Sequence, residues 1–137
     1  DYSCVVTGAE RLYAAGCNTG RLLSDEVNAE PAEGGASADG CILTVQRVGF
    51  DELEASRFVA VSGGRDHLVA ITDSGAAISW GRSNEFGQVG HGKAQTKGAL
   101  PAVVGGLPTL YKVVGIACGE SCTLALLSSG ELYAWGA

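Results

Sequence analysis

The sequence has 137 residues, a formal net charge of −6, 21 glycines and only 18% charged side chains. The glycine share is about twice the usual one and the charged share falls below the roughly 25% of an average soluble domain, which favours short strands joined by tight turns over a disordered chain. No apolar run approaches the ~18 residues of a membrane-spanning helix, so no membrane insertion is expected, and the acidic balance opposes binding to nucleic acid through Lys/Arg clusters.

In chain order, the first segment with strand character is Leu12-Tyr13-Ala14-Ala15-Gly16, followed by a polar loop that runs to Leu22. Residues 25–54 form a separate compositional object, with eight carboxylates and a single basic residue, Arg47. The Ala/Gly/Glu/Ser-rich part, 25–40, is expected to be a solvated, mobile loop, with an acidic surface that contacts a basic partner as the alternative. Strand character resumes at 41–45, read as the first strand of the next structural unit.

A strand at 59–61 then precedes two short apolar runs, 68–72 and 76–80, which flank Asp73-Ser74-Gly75 and predict a hairpin. Glycine at the third turn position supplies the positive φ that a β-carbon resists. Pro101-Ala102-Val103-Val104 predicts an edge strand, the place in a sheet that tolerates proline. A strand at 113–116 and a second hairpin follow, with arms at 124–127 and 132–135 around Ser128-Ser129-Gly130.

The two hairpins are copies at an offset of 55 residues. Identities fall at Gly64/Gly119, Ala70/Ala125, Ser74/Ser129, Gly75/Gly130, Trp80/Trp135 and Gly81/Gly136. A worn third copy lies at the start, where 12–16 aligns with 132–136, and the extra residues of that first period fall in the acidic stretch. About four strands per roughly 50 residues is the pattern of a β-propeller blade, so the fold class is read as all-β and built of blades. The boundaries read as 1–24, the end of a worn first blade; 25–56, the acidic insertion plus the first strand of the next; 57–112, a well-preserved blade; and 113–137, the start of a third.

After each Trp-Gly pair comes a Gly-rich loop, best preserved as Trp80-Gly81-Arg82-Ser83-Asn84-Glu85-Phe86-Gly87-Gln88-Val89-Gly90. The order Gly64-x-x-His67, apolar strand, glycine turn, then Trp80 through Gly90 resembles the regulator of chromosome condensation repeat. The resemblance is good over 57–137, partial over 10–24 and absent over 25–56, and Cys122 stands where the repeat carries its His. It implies a propeller, commonly of seven blades, which needs on the order of 350 residues, so this chain is expected to be part of a larger protein or assembly. The signature residues Gly64, Gly75, Trp80, Gly81, Gly87, Gln88, Gly90, Gly119, Gly130, Trp135 and Gly136 are expected to be structural, with both tryptophans in the cores between blades.

Motifs with chemical meaning are few. Gly87 to Ala94 approaches a phosphate-binding loop, but Ala94 lacks the required hydroxyl and no helix pattern follows. The five cysteines, Cys4, Cys17, Cys41, Cys118 and Cys122, contain no Cys-x-x-Cys pair and read as reduced thiols. No cofactor, metal or catalytic residue is expected. Candidate interaction residues are Arg65, Asp66, His67, Arg82, Asn84 and Glu85, with His67 also expected to pack and hydrogen-bond, and Asn84 to bond its own loop.

The function read from all this is a non-catalytic protein-interaction scaffold, intracellular in the cytoplasm or nucleus, with an organelle left open. In the founding member of the family the resemblance implies guanine-nucleotide exchange on the small GTPase Ran, with acidic and His residues at the place of Asp66 and His67 facing the GTPase. An exchange factor for a Ran-like GTPase is therefore the first alternative, and a chromatin-associated module the second. The expected partners are proteins, a small GTPase or a large complex.

Overall fold

A computed structural model describes residues 2–17, 41–48, 50–53, 55–92 and 98–137, with the backbone alone at 41–46 and 51. The acidic loop at 25–40, the polar loop after the first copy and Lys93-Ala94 lie outside these residues. Among the described residues, ten strands form three antiparallel sheets. The first sheet holds β1 (Tyr2–Val6), β2 (Leu12–Cys17) and β3 (Cys41–Arg47). A 3₁₀ turn at Asp51–Leu53 leads to the second, made of β4 (Phe58–Gly63), β5 (His67–Thr72), β6 (Ala77–Gly81) and β7 (Ala99–Val103). The third holds β8 (Val113–Cys118), β9 (Cys122–Leu127) and β10 (Leu132–Gly136).

The sheets stack side by side as blades. The opening strand of the middle sheet, β4, lies against both β1 and β8, the opening strands of its neighbours. One core, with Leu12, Ala14, Phe50, Phe58, Leu68, Ala70 and Trp80, joins the first two sheets. A second, with Val69, Ile71, Ala77, Val113, Ala125 and Leu127, joins the last two. Pro101 sits in β7, the edge strand of its sheet, as its missing N–H requires.

Position in the stack, more than sequence, sets burial. Every residue of β5 and β6 is buried because a blade covers each face of the middle sheet. In β9 buried and exposed residues alternate. Leu124, Leu126 and Leu132, 55 residues on from the buried Val69, Ile71 and Ala77, are 39%, 40% and 65% exposed.

The turns repeat as the sequence pattern requires. Gly75 (φ +89°) donates its N–H to the Thr72 carbonyl, and Gly130 (φ +90°) does the same to Leu127, both at 2.9 Å. The first hairpin has this turn too, with Glu10 at φ +59° in the glycine's place and its N–H on the Thr7 carbonyl. That substitution hides the turn, and with it β1, from a search for glycine signals.

One boundary is corrected. The strand at 41–47 does not open the second blade: it pairs with β2, with Tyr13 opposite Arg47 and Cys17 opposite Cys41. It closes the first sheet across the long acidic insertion, and the opening position of the next sheet belongs to β4.

Candidate functional site

The candidate residues sit where the turn between β4 and β5 meets its counterpart between β8 and β9. Gly64 is dictated by packing at this point. A β-carbon there would stand 2.3 Å from His67 Cε1 and 2.4 Å from the Gly119 carbonyl oxygen, distances that no side chain tolerates. Gly81 and Gly136 answer to one constraint in successive blades. A β-carbon at Gly81 would meet the Asp66 carbonyl at 2.4 Å, and at Gly136 the Ser121 carbonyl at 2.3 Å.

His67 opens β5 and is wholly buried. Its Nε2 lies 2.8 Å from Thr123 Oγ1 on the neighbouring blade. Thr123 spends its one hydroxyl proton on the Gln88 carbonyl at 3.0 Å, so His67 donates to Thr123. Trp135 Nε1 donates to the same Gln88 carbonyl at 2.8 Å. His67, Thr123, Gln88 and Trp135 thus form one polar seam between the second and third blades. Burial holds the His67 imidazole below its usual pKa, against the opposite pull of the Asp66 carboxylate and the Cys122 backbone.

Asn84 is also buried, and its Oδ1 accepts the Val89 N–H at 3.1 Å while its carbonyl accepts the Gly87 N–H at 3.2 Å. Gln88 accepts the Phe86 N–H through Oε1 at 3.0 Å. The loop is tied to the sheet by Ser79, whose Oγ donates to the Val89 carbonyl and lies 2.9 Å from His91 Nε2. His67 and Asn84 therefore leave the set of candidate surface residues. His67 bonds through Nε2 while its buried Nδ1 has no hydrogen-bond partner among the described residues, and Asn84 bonds within its own loop.

The others reach the surface as a charged cluster. Arg82 Nε donates to Asp66 Oδ1, and Arg65 Nη1 donates to Glu120 Oε1 at 2.8 Å across the blade boundary. Arg65 Nε lies 3.9 Å from Asp66 Oδ2. The Asp66 side chain is 25% exposed and both partners of the Arg65–Glu120 pair are over 60% exposed, so the cluster forms a wet, mixed-charge rim. Glu85 is exposed on the following loop, apart from this cluster in the bonds described.

Tyr2, Thr123 and Glu120 carry as much of this region as the predicted residues. The Tyr2 hydroxyl shares its one proton between the carbonyls of Gly64, at 2.7 Å, and His67, at 3.0 Å, tying the first blade to the second. Burial pushes its phenol well above the usual range and keeps it a donor. Glu120 was visible in principle, since it stands 55 residues from Arg65 with the opposite charge. Nothing in the sequence marks Tyr2 or Thr123, whose partners are fixed by blade stacking.

Two thiols, Cys4 and Cys118, are made poorly reactive by their environment. Burial, aided by the neighbouring Cys118 thiol, raises Cys4 to about 11, and burial raises Cys118 as well. Among the described residues, no group of three or more His, Cys, Asp or Glu side chains is arranged to hold a metal ion. None of the described helical turns is long and apolar enough to cross a membrane.

Three blades with this turn and seam define a segment of a β-propeller, and comparison with known proteins places it. Two models of the regulator of chromosome condensation (RCC1) repeat match at residues 74–126 and 58–88, together spanning half of the chain. The chain belongs to the family of proteins built from this repeat. It is 28% identical over 98% of its length to protein pim1 of Schizosaccharomyces pombe, and 31% identical over 75% of its length to the human regulator of chromosome condensation. It spans 25% and 23% of those two proteins. Crystal structures of human WBSCR16 (TM-score 0.73, 21% identity) and of Prp20p from Saccharomyces cerevisiae (TM-score 0.71, 20% identity) share the fold over 99% of this chain and 31% of theirs.

Proposed function

We propose that the chain is a non-catalytic protein-interaction segment of a propeller completed by further blades. One observation carries this reading. The polar signature residues His67, Asn84 and Gln88 are all buried and bonded inside the fold, while Arg65, Asp66, Arg82 and Glu120 face solvent as a mixed-charge rim across two blades. Such a rim has no nucleophile or paired general acid and base, and suits recognition of a charged protein surface. The apolar face of the third sheet, with Leu124, Leu126 and Leu132 exposed, supports completion by another blade.

The test is cross-linking mass spectrometry of the native protein with its bound partners, repeated with Arg65→Glu. Partner cross-links at the β4–β5 and β8–β9 turns that disappear in the variant are expected. Cross-links confined to the outer strand β7 or the loop at 84–92 would reject the reading.

A second reading has its own support. Prp20p, whose crystal structure shares this fold, has described binding properties toward Gsp1p and histones, and the human relative is the regulator of chromosome condensation. Exchange on a Ran-like GTPase would use Asp66 at the rim, and would require acceleration of nucleotide release from the GTPase that Asp66→Ala removes.

A further inference from the structure

Trp80 and Trp135 hold the same place in successive repeats, yet Trp80 is wholly buried and Trp135 only half-buried. The difference lies in the connection that enters each blade. Phe50, just before the second blade, meets Trp80 edge-on, with ring centroids 6.1 Å apart and planes at 60°. The 55-residue offset carries Phe50 onto Gly105. Matching Val48 N–H on the Leu12 carbonyl with Val104 N–H on the Ala77 carbonyl carries it onto Gly106. By either alignment the third blade has the tryptophan and lacks the ring that covers it.

What remains is an open apolar cleft lined by Gly90, Gly105, Gly106, Leu107, Tyr133 and Trp135. Its floor is fixed, because Trp135 Nε1 is bonded to the Gln88 carbonyl and a β-carbon at Gly90 would press to 2.8 Å from that same nitrogen. The cleft is continuous with the core between the second and third sheets, against which Leu107, Tyr133 and Trp135 pack. A ring seated there extends that core as Phe50 extends the preceding one. Walls of glycine let the backbone bearing such a ring come close.

We infer that this cleft is a binding site for an aromatic side chain of a protein partner, seated against Trp135 as Phe50 is seated against Trp80. The site shares no residue with the charged rim, so it stands or falls separately from the scaffold reading.

In the native protein the indole signals of Trp135 and Trp80 are identified by their loss in Trp135→Phe and Trp80→Phe, which gives one signal inside the site and one as internal control. Titration with N-acetyl-phenylalaninamide is expected to move the Trp135 indole saturably, with a dissociation constant on the order of 1 mM for a ligand of this size, and to leave Trp80 still. N-acetyl-alaninamide is expected to move neither. Gly105→Phe plugs the cleft from within, since a β-carbon there meets only the Gly90 carbonyl at an ordinary 3.5 Å, and is expected to abolish the shift. Tyr133→Leu removes one ring of the lining and is expected to weaken binding severalfold, which keeps the test alive should Gly105→Phe not fold. An unsaturable shift, no shift, equal movement of both indoles, or an undiminished shift in the variants would overturn the inference.

Discussion

The Nε2 of His67 and the Oγ1 of Thr123 lie 2.8 Å apart across the boundary between two blades, inside a seam that also holds Gln88 and Trp135. A residue that reads as a candidate for chemistry is here a fastener. Replacing it exposes the cost of leaving Thr123 without its donor. His67→Ala is expected to destabilise the chain by about 2–4 kcal/mol through lost packing and a broken buried hydrogen bond. Urea denaturation with a tryptophan fluorescence readout measures this, and a loss below about 0.5 kcal/mol would mean that the seam is not a structural element.

The same residue sets a pH dependence. Its folded pKa is depressed by burial, so the unfolded chain binds the proton more readily. The stabilisation is present above the unfolded pKa of about 6.5 and is lost as pH falls through the lower folded pKa. The melting temperature is therefore expected to fall between pH 7.5 and pH 5, and His67→Gln is expected to flatten that slope. A slope unchanged in the variant would place its origin elsewhere.

Two glycines of the signature separate packing from backbone conformation. Gly64→Ala drives a β-carbon into the His67 ring and the Gly119 carbonyl, whereas Gly87 sits at φ +76° with open space around it. Gly87→Ala is expected to cost about 1–2 kcal/mol, the penalty of left-handed backbone alone. Gly64→Ala is expected to cost more than that or to prevent folding. Equal costs in parallel melts would contradict the packing argument.

Cys4 and Cys118 are expected to alkylate slowly in the folded chain. With its thiol raised to about 11, Cys4 at pH 8 is expected to react on the order of a hundredfold more slowly with iodoacetamide than after unfolding in urea. Peptide mapping of timed samples reads both sites, and rapid native labelling of Cys4 would show that the first blade opens on that timescale.

Much of the architecture is legible because the repeat writes itself twice. Gly75 and Gly130, Trp80 and Trp135, and Gly81 and Gly136 mark turns and blade ends directly, and Pro101 marks an edge. Other features escape because they depend on partners distant in sequence. The first hairpin uses Glu10 where glycine is expected, and β3 returns to β2 across the acidic insertion. At the candidate site the pairing of Arg65 with Glu120, one repeat apart, is open to reading from the repeat offset but is not among the predicted features. The bond of His67 to Thr123 follows only from stacking, which no local pattern encodes, whereas Asn84 bonds within its own loop. The covering of Trp80 by Phe50, and the bare cleft at Trp135, likewise become visible only when successive blades are laid side by side.

The measurement that bears most directly on the propeller-segment reading is the intact mass of the native polypeptide, taken together with its mass in solution by light scattering. Completion by further blades of this repeat predicts a native chain of about 40 kDa or more, or an assembly that is a multiple of the 13.9 kDa piece. A native polypeptide of 13.9 kDa that stays folded and monomeric, with Leu124, Leu126 and Leu132 in water, would contradict it.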